Sequence, residues 1–262
     1  MNNSINCLRG KAISSYIRKI LLICSCALML SCSQKEEMQI FLCIGQSNMA
    51  GRADIEPEDN NSLENVYVFN GEGNWEKAKN PLNQFSTIRK NKNMQRLSPA
   101  WSFSQKLGTE YPNKKIGLVV NAKGGSSIDE WKKGSKFYNE SLIRALQAQK
   151  TGAIKAIIWH QGESDQAKWQ DYADKFDSLA YHFRKDLGTP DLKIIVGEIG
   201  KWRDSAVQIN KVLISLPNHL SNVQTVSAEG LTDKGDNSHF DSRSQRILGE
   251  RYADRYIEMN QN

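Results

Sequence analysis

Ile40-Phe41-Leu42-Cys43-Ile44 is an unbroken apolar run that stops at Gly45-Gln46-Ser47-Asn48-Met49-Ala50-Gly51, a short polar turn bracketed by glycines. Five consecutive apolar residues ending in such a turn fit a strand covered on both faces, as in parallel sheets. The pattern recurs along the chain, as in Ala156-Ile157-Ile158-Trp159 followed by His160-Gln161-Gly162. Candidate strands fall at 39–44, 66–70, 116–121, 154–159, 193–199 and 223–227, and they alternate with helical patterns at 99–110, 136–150, 166–187, 204–216 and 242–259. Strands separated by longer helical segments predict crossover connections. The expected fold is a three-layer α/β/α domain around a central parallel sheet of about five strands. In the 166–187 helix, Trp169, Tyr172, Ala173, Phe176, Leu179, Ala180 and Phe183 share one face, so these aromatics are core rather than ligand-stacking residues. Segment 71–98 is polar with little periodicity, and reads either as a surface excursion or as a loop near the site.

The formal charge of the 262-residue chain is +6, from 35 Lys and Arg against 29 Asp and Glu, which raises the question of nucleic acid. Four of the cations, Arg9, Lys11, Arg18 and Lys19, lie in the first 31 residues, which hold no acidic residue and run into the apolar stretch Ile20–Leu30. That is the pattern of an export signal, and the stretch is too short to span a bilayer comfortably. Met29-Leu30-Ser31-Cys32 resembles the lipobox of bacterial lipoproteins, with Cys32 the acylated new N-terminus; Cys26 in Ile23-Cys24-Ser25-Cys26 is the alternative, and simple secretion is another. The expected organisation is a signal peptide at 1–31, a short tether at 32–38 and one catalytic-type domain at 39–262. Removing residues 1–31 leaves 31 cationic against 29 acidic residues, so the electrostatic case for nucleic acid disappears. Only Cys43 then stays in the folded domain, in the first apolar run, as a core residue without a disulfide.

Ligands of open parallel sheets bind beyond the carboxyl ends of the strands. Three such ends carry chemistry: the Ser47 turn, Lys123-Gly124-Gly125-Ser126-Ser127, and His160-Gln161-Gly162-Glu163-Ser164-Asp165. A fourth segment, Asp236-Asn237-Ser238-His239-Phe240-Asp241, precedes the last helix. Acyl transfer by serine needs a base and a carboxylate to orient it. Ser47 can present its hydroxyl and N–H together, Gly124 or Gly125 can offer an N–H with no Cβ in the way, and Gln161 can add an amide donor to an oxyanion hole. His239 follows Asp236 by three residues, close enough for that carboxylate to orient the ring, whereas His160 reads equally well as a packed supporting group. Asp241 is expected to cap the final helix and Asp233 to serve a turn. His160-Gln161-Gly162-Glu163 is not HExxH and the isolated histidines are far apart in sequence, so no metal site is expected.

Taken in order, GQSNMAG, KGGSS, WHQGESD and DNSHFD resemble the SGNH hydrolase superfamily, and within it the carbohydrate esterases of family six and the sialate O-acetylesterase-like domains. The likeness runs from Ile40 to about Ile257. It implies a flavodoxin-like sheet, no cofactor, and an esterase acting on acetylated carbohydrate such as xylan. It further implies Ser47 as nucleophile, His239 as base, Asp236 as orienter, and Ser47 N–H, a Gly124 or Gly125 N–H and Gln161 as oxyanion donors. Glu163 falls at the acidic position of the third block and is grouped with the substrate-binding residues. Gln161 stands where the wider superfamily has Asn, a departure that fits the carbohydrate-esterase branch. Sialate O-acetyl esters or other small acyl esters are the alternative substrates, and a non-catalytic glycan-binding lipoprotein is the alternative of another class. The implied partners are an acetylated carbohydrate and, through the lipid, a membrane facing the periplasm or cell surface.

Overall fold

The computed structural model describes residues 37–89 and 91–261. The expected signal peptide, Cys32, and all of the tether except residues 37 and 38 therefore lie outside the described residues. Seven strands form one sheet: β1 (Met38–Gly45), β2 (Val66–Phe69), β3 (Trp75–Lys77), β4 (Ile116–Val120), β5 (Gly152–His160), β6 (Lys193–Gly197) and β7 (Val223–Val226). Their order is β3-β2-β4-β1-β5-β6-β7, and every pairing is parallel except that of β2 with β3. The helices are α1 (Ser47–Ala50), α2 (Pro99–Glu110), α3 (Lys136–Gln149), α4 (Tyr172–Asp186), α5 (Ala206–Ser215) and α6 (Ser242–Gln261).

Alternate residues of β1 sort into two cores. Ile40, Leu42 and Ile44 pack with Tyr138 and Ala145 of α3, Phe176 and Phe183 of α4, and Ile209 and Leu213 of α5. Phe41 and Cys43 pack on the other side with Met49 of α1, Phe103 and Leu107 of α2, and Leu248 and Tyr252 of α6. This is why β1 is apolar without a break from Ile40 to Ile44: a strand covered by helices on both faces has no solvent side. Burial pushes the Cys43 thiol pKa far up, which suits an inert core residue.

The α/β/α layering is as expected, with seven strands instead of about five. The six apolar candidates all form strands, and the seventh, β3, is a three-residue antiparallel edge within the segment that lacked periodicity. Helix α4 starts six residues later than its pattern, because Trp169–Asp171 forms a separate 3₁₀ turn. Its inward face is as read: Tyr172, Phe176, Leu179, Ala180 and Phe183 are buried. The chain steps outward from β1 to β2, returns to β4, then crosses over β1 to β5. The direction of winding thus reverses around β1, and the carboxyl ends of β4, β1 and β5 stand side by side at the switch point where such sheets open a crevice.

Candidate active site

Gly45 ends β1 with φ +131°, and any Cβ there would strike the backbone carbonyl of His160 at the end of β5. Only glycine allows this close approach. Gln46 N–H donates to His160 O at 2.9 Å, and Lys123 N–H donates to Gly45 O at 2.9 Å, so the turns after β1, β4 and β5 are tied together. Ser47 follows as the first residue of the single-turn α1 and is buried, yet its hydroxyl has no hydrogen-bond partner among the described residues. Beside it lies Gly124: a Cβ placed there would sit 3.7 Å from Ser47 Cβ and collide with Arg52 Nη2. Gly124 is thus the glycine of the pair that faces Ser47. Gly125 has open space around it and is a glycine for its φ of +73°.

The His239 loop is held from within by Asp236. Asp236 Oδ1 accepts the N–H groups of Ser238 at 2.9 Å and His239 at 2.8 Å, and its Oδ2 lies 2.7 Å from His239 Nδ1. With a carboxylate as acceptor, Nδ1 carries the proton and Nε2 is left as the basic nitrogen. Partial burial raises the Asp236 carboxyl, but the His239 ring and the two N–H groups outweigh it and hold its pKa below the ordinary carboxylate value. Asp233 accepts from Gly235 N and Asn237 N, and Asp241 Oδ1 caps α6 by accepting Ser244 N–H at 2.7 Å, each as its sequence position suggested.

Asn48 joins this loop to the Ser47 turn, a role that sequence reasoning missed. Its side chain is fully buried. The amide Nδ2 donates to Glu163 Oε1 at 2.5 Å and Ser238 O at 3.3 Å, while Oδ1 accepts from Phe240 N at 3.1 Å and Gln245 Nε2 at 3.2 Å. The residues on both sides of His239 are therefore clamped to the residue after Ser47. Phe240 is buried edge-on against Trp202 and His160.

Glu163, grouped with the substrate-binding residues in the sequence reading, is turned toward Asn48 and His160. Its Oε1 takes the Asn48 amide and faces His160 Nε2 at 3.5 Å, so it supports the clamp from below. Burial raises its pKa, but the facing His160 ring and the Asn48 amide prevail and keep it below the usual value. His160 is fully buried with Nδ1 2.9 Å from Tyr252 Oη, which is the packed role left open above.

Gln161 also departs from expectation. Its Nε2 is engaged by Gln46 Oε1 at 3.1 Å, Ser126 O at 3.0 Å and Asp165 Oδ2 at 2.5 Å, and its Oε1 accepts from Tyr172 Oη at 2.9 Å. An amide has two N–H hydrogens, and three protein acceptors already share them. Gln161 is fully buried and fastens three strand-end turns rather than presenting a free donor at Ser47.

Segment 71–98 forms β3 and then packs against the turn after β4 and against Arg52. Asn83 Nδ2 donates to Ala122 O at 3.1 Å and its Oδ1 accepts Ala122 N–H at 2.9 Å, two residues before Gly124. Met94 O accepts from Arg52 Nη1 at 3.2 Å. Among the described residues, no group of three or more His, Cys, Asp and Glu is arranged to hold a metal ion.

A family model described as carbohydrate esterase, sialic acid-specific acetylesterase matches residues 37–258. A probable carbohydrate esterase of Arabidopsis thaliana is 32% identical over 239 residues, covering 84% of this chain and 90% of the relative. The crystal structure of an Arabidopsis thaliana protein superposes with a TM-score of 0.78 at 30% identity, covering 85% of this chain and 98% of its own. A carbohydrate acetylesterase from Xanthomonas citri shares the fold with a TM-score of 0.61 at 16% identity, over 82% of this chain and 55% of its own.

Proposed function

The chain belongs to the carbohydrate esterase, sialic acid-specific acetylesterase family and is a carboxylic ester hydrolase, and from that premise we propose that it removes acetyl groups from O-acetylated carbohydrate through an acetyl-enzyme on Ser47. The observation that carries this reading is the clamp by Asn48. It fixes the Asp236–His239 pair against the turn bearing Ser47, while the Ser47 hydroxyl has no hydrogen-bond partner among the described residues.

In the first step Ser47 Oγ bonds to the acetyl carbonyl carbon, its proton passes to His239 Nε2, and the carbonyl π pair moves onto oxygen. Asp236 holds the ring and offsets the imidazolium charge. The Ser47 and Gly124 N–H groups are the backbone donors to the oxyanion. Collapse of this intermediate breaks the bond to the sugar oxygen, which leaves with the proton from Nε2. Water then enters the same way, giving up a proton to Nε2 and its oxygen to the acyl carbon, and acetate departs as Ser47 regains its proton.

Acetylated plant polysaccharide such as xylan is the proposed substrate, with O-acetyl sialic acid the second reading because of the family description. Acetate release from acetylated xylan, acetylated pectin and O-acetyl sialic acid ranks them, and an acetyl adduct on Ser47 by mass spectrometry is the expected trapped species. Turnover retained by Ser47→Ala, or abolished by a chelator in wild type, overturns the serine mechanism. We propose also that the protein is exported and anchored by lipid on Cys32. Fatty-acid labelling should mark wild type and not Cys32→Ser; label that persists moves the site to Cys26.

A further inference from the structure

The stretch after β6 carries charges that the ester-cleaving steps do not use. Glu198, directly after β6, is buried, and its Oε2 accepts from Ser227 Oγ at 3.0 Å, Ala228 N at 2.8 Å and Lys201 Nζ at 3.0 Å. Lys201 pairs also with Glu229 at 3.0 Å, so these charges offset one another. Arg203 and Lys211 are different: both are exposed, and no carboxylate among the described residues pairs with either. Val207 and Ile214, four residues before and three after Lys211, share its face of α5 and stand 50% and 52% exposed. These six residues line one cavity of about 210 Å³, enough for a single sugar ring.

The cavity adjoins the catalytic loop. Arg203 Nη2 donates to Ser238 Oγ at 2.8 Å, and Ser238 immediately precedes His239 and gives its carbonyl to the Asn48 amide at 3.3 Å. Trp202 packs edge-on against Phe240, which follows His239, with ring centroids 4.9 Å apart. A Cβ on Gly200 would collide with that indole, so a glycine there makes room for it. Residues 200–203 are thus moored to both neighbours of the base, and one bond to Ser238 leaves most of the five guanidinium N–H groups of Arg203 unspent. Two unpaired cations beside an apolar floor match an anionic sugar. Its carboxylate meets the planar fork of Arg203 and the ammonium of Lys211, and the C–H face of its ring meets Val207 and Ile214. A neutral sugar would leave both cations idle. Neither Ser47 nor His239 lines the cavity, so its occupant is a neighbour of the acetylated sugar rather than that sugar itself. Resting on the acetylesterase reading above, we propose that this cavity is a subsite for a uronic acid residue of the acetylated polysaccharide, with Arg203 and Lys211 recognising its carboxylate.

The test measures acetate release by the full chain from acetylated glucuronoxylan and acetylated oligogalacturonate, each as the free acid and as its methyl ester with matched acetyl content. On the backbone turned over faster, wild type should favour the free acid about tenfold in kcat/KM, with the difference in KM. Arg203→Gln and Lys211→Gln should each cut that preference about threefold, and the double variant should abolish it. Sodium chloride at about 0.5 M should shrink it in wild type, since exposed charges are screened. The preference is a ratio between two esters cleaved by the same base, so a disturbance of His239 through Ser238 cancels from it. Para-nitrophenyl acetate, too small to reach the cavity, reads such a disturbance separately. O-Acetyl sialic acid and its methyl ester should differ little, because there the carboxylate sits on the acetylated sugar. Equal rates on acid and ester in wild type overturn the proposal, as does a preference that survives the double variant. So does a tenfold preference for O-acetyl sialic acid over its ester, or failure to cleave either polysaccharide while para-nitrophenyl acetate is turned over. If Arg203→Gln does not fold, an unchanged preference in Lys211→Gln overturns it instead. Failure of the serine reading shows apart from this, as turnover by Ser47→Ala, and leaves the preference readable.

Discussion

Replacing Asn48 by Ala tests whether the buried clamp holds the base against the nucleophile. The substitution strands the Phe240 N–H, takes a donor from Ser238 O, and leaves Glu163 Oε1 with only His160 Nε2, 3.5 Å away, beside an Oε2 that already has no hydrogen bond. Buried groups left unpaired cost about 1–3 kcal/mol each, more when charged, and Gln245 keeps only its long contact to Asn48 O. Allowing for partial relaxation, the loss should be about 3–5 kcal/mol, which for a domain of this size lowers Tm by about 6–20 °C. Slack of about 1 Å in the His239 loop should reduce kcat about 10²-fold with KM little changed, because the clamp touches no substrate. Asn48→Asp refines the test. It keeps the acceptor for Phe240 but sets a second carboxylate where 2.5 Å separated Nδ2 from Glu163 Oε1. Two carboxylates that close share one proton, so the variant should work best at low pH, where that proton bridges them. As pH rises and the shared proton leaves, repulsion opens the clamp and activity falls in a range where wild type does not decline. Steady-state kinetics against pH, with thermal unfolding by circular dichroism, read both effects. An Asn48→Ala enzyme with wild-type kcat, or an Asn48→Asp enzyme whose pH profile overlays wild type, refutes the clamp.

Asp236→Asn should lower kcat by up to about 10⁴-fold, the loss seen when the orienting acid of a protease triad is changed, while Asp233→Asn stays within about threefold; kcat measured side by side reverses the assignment if Asp233 matters more. Gln161→Ala should lower stability by about 2–4 kcal/mol but kcat by less than about tenfold at a temperature well below both melting transitions, since its amide serves three protein acceptors; a 10²-fold loss in kcat with an unchanged Tm would restore it as an oxyanion donor. Gly124→Ala should fold normally, because only the flexible end of Arg52 must move, yet lose about 10–100-fold in kcat as the new methyl fills the space beside Ser47; wild-type kinetics in this variant would place the oxyanion elsewhere.

The readings that held rest on local chemistry. Apolar runs such as Ile40–Ile44 reveal strands because both faces must exclude water, and the three-residue offset of His239 from Asp236 brings carboxylate to ring within one loop. What escaped depends on partners far along the chain. Asn48 meets Glu163, Ser238 and Phe240 across separations of more than a hundred residues, and nothing next to it distinguishes a clamp from an ordinary turn residue. Segment 82–97 hides its packing because Asn83 and Gln95 are buried by hydrogen bonds, which leave no apolar period to detect. Gln161 shows the limit most sharply. A side-chain amide suited to an oxyanion is equally suited to a carboxylate, and Asp165, four residues on, competes for it. Asp165 is buried, and burial raises its pKa, so as a carboxylate it needs both the Gln161 amide and the Ile128 N–H that it accepts at 3.0 Å. With that amide committed, Gln161 ties Gln46 and Ser126 to Asp165 across three strand ends, and the contacts to Gln46 and Ser126, 115 and 35 residues away, leave no mark in the residues beside it.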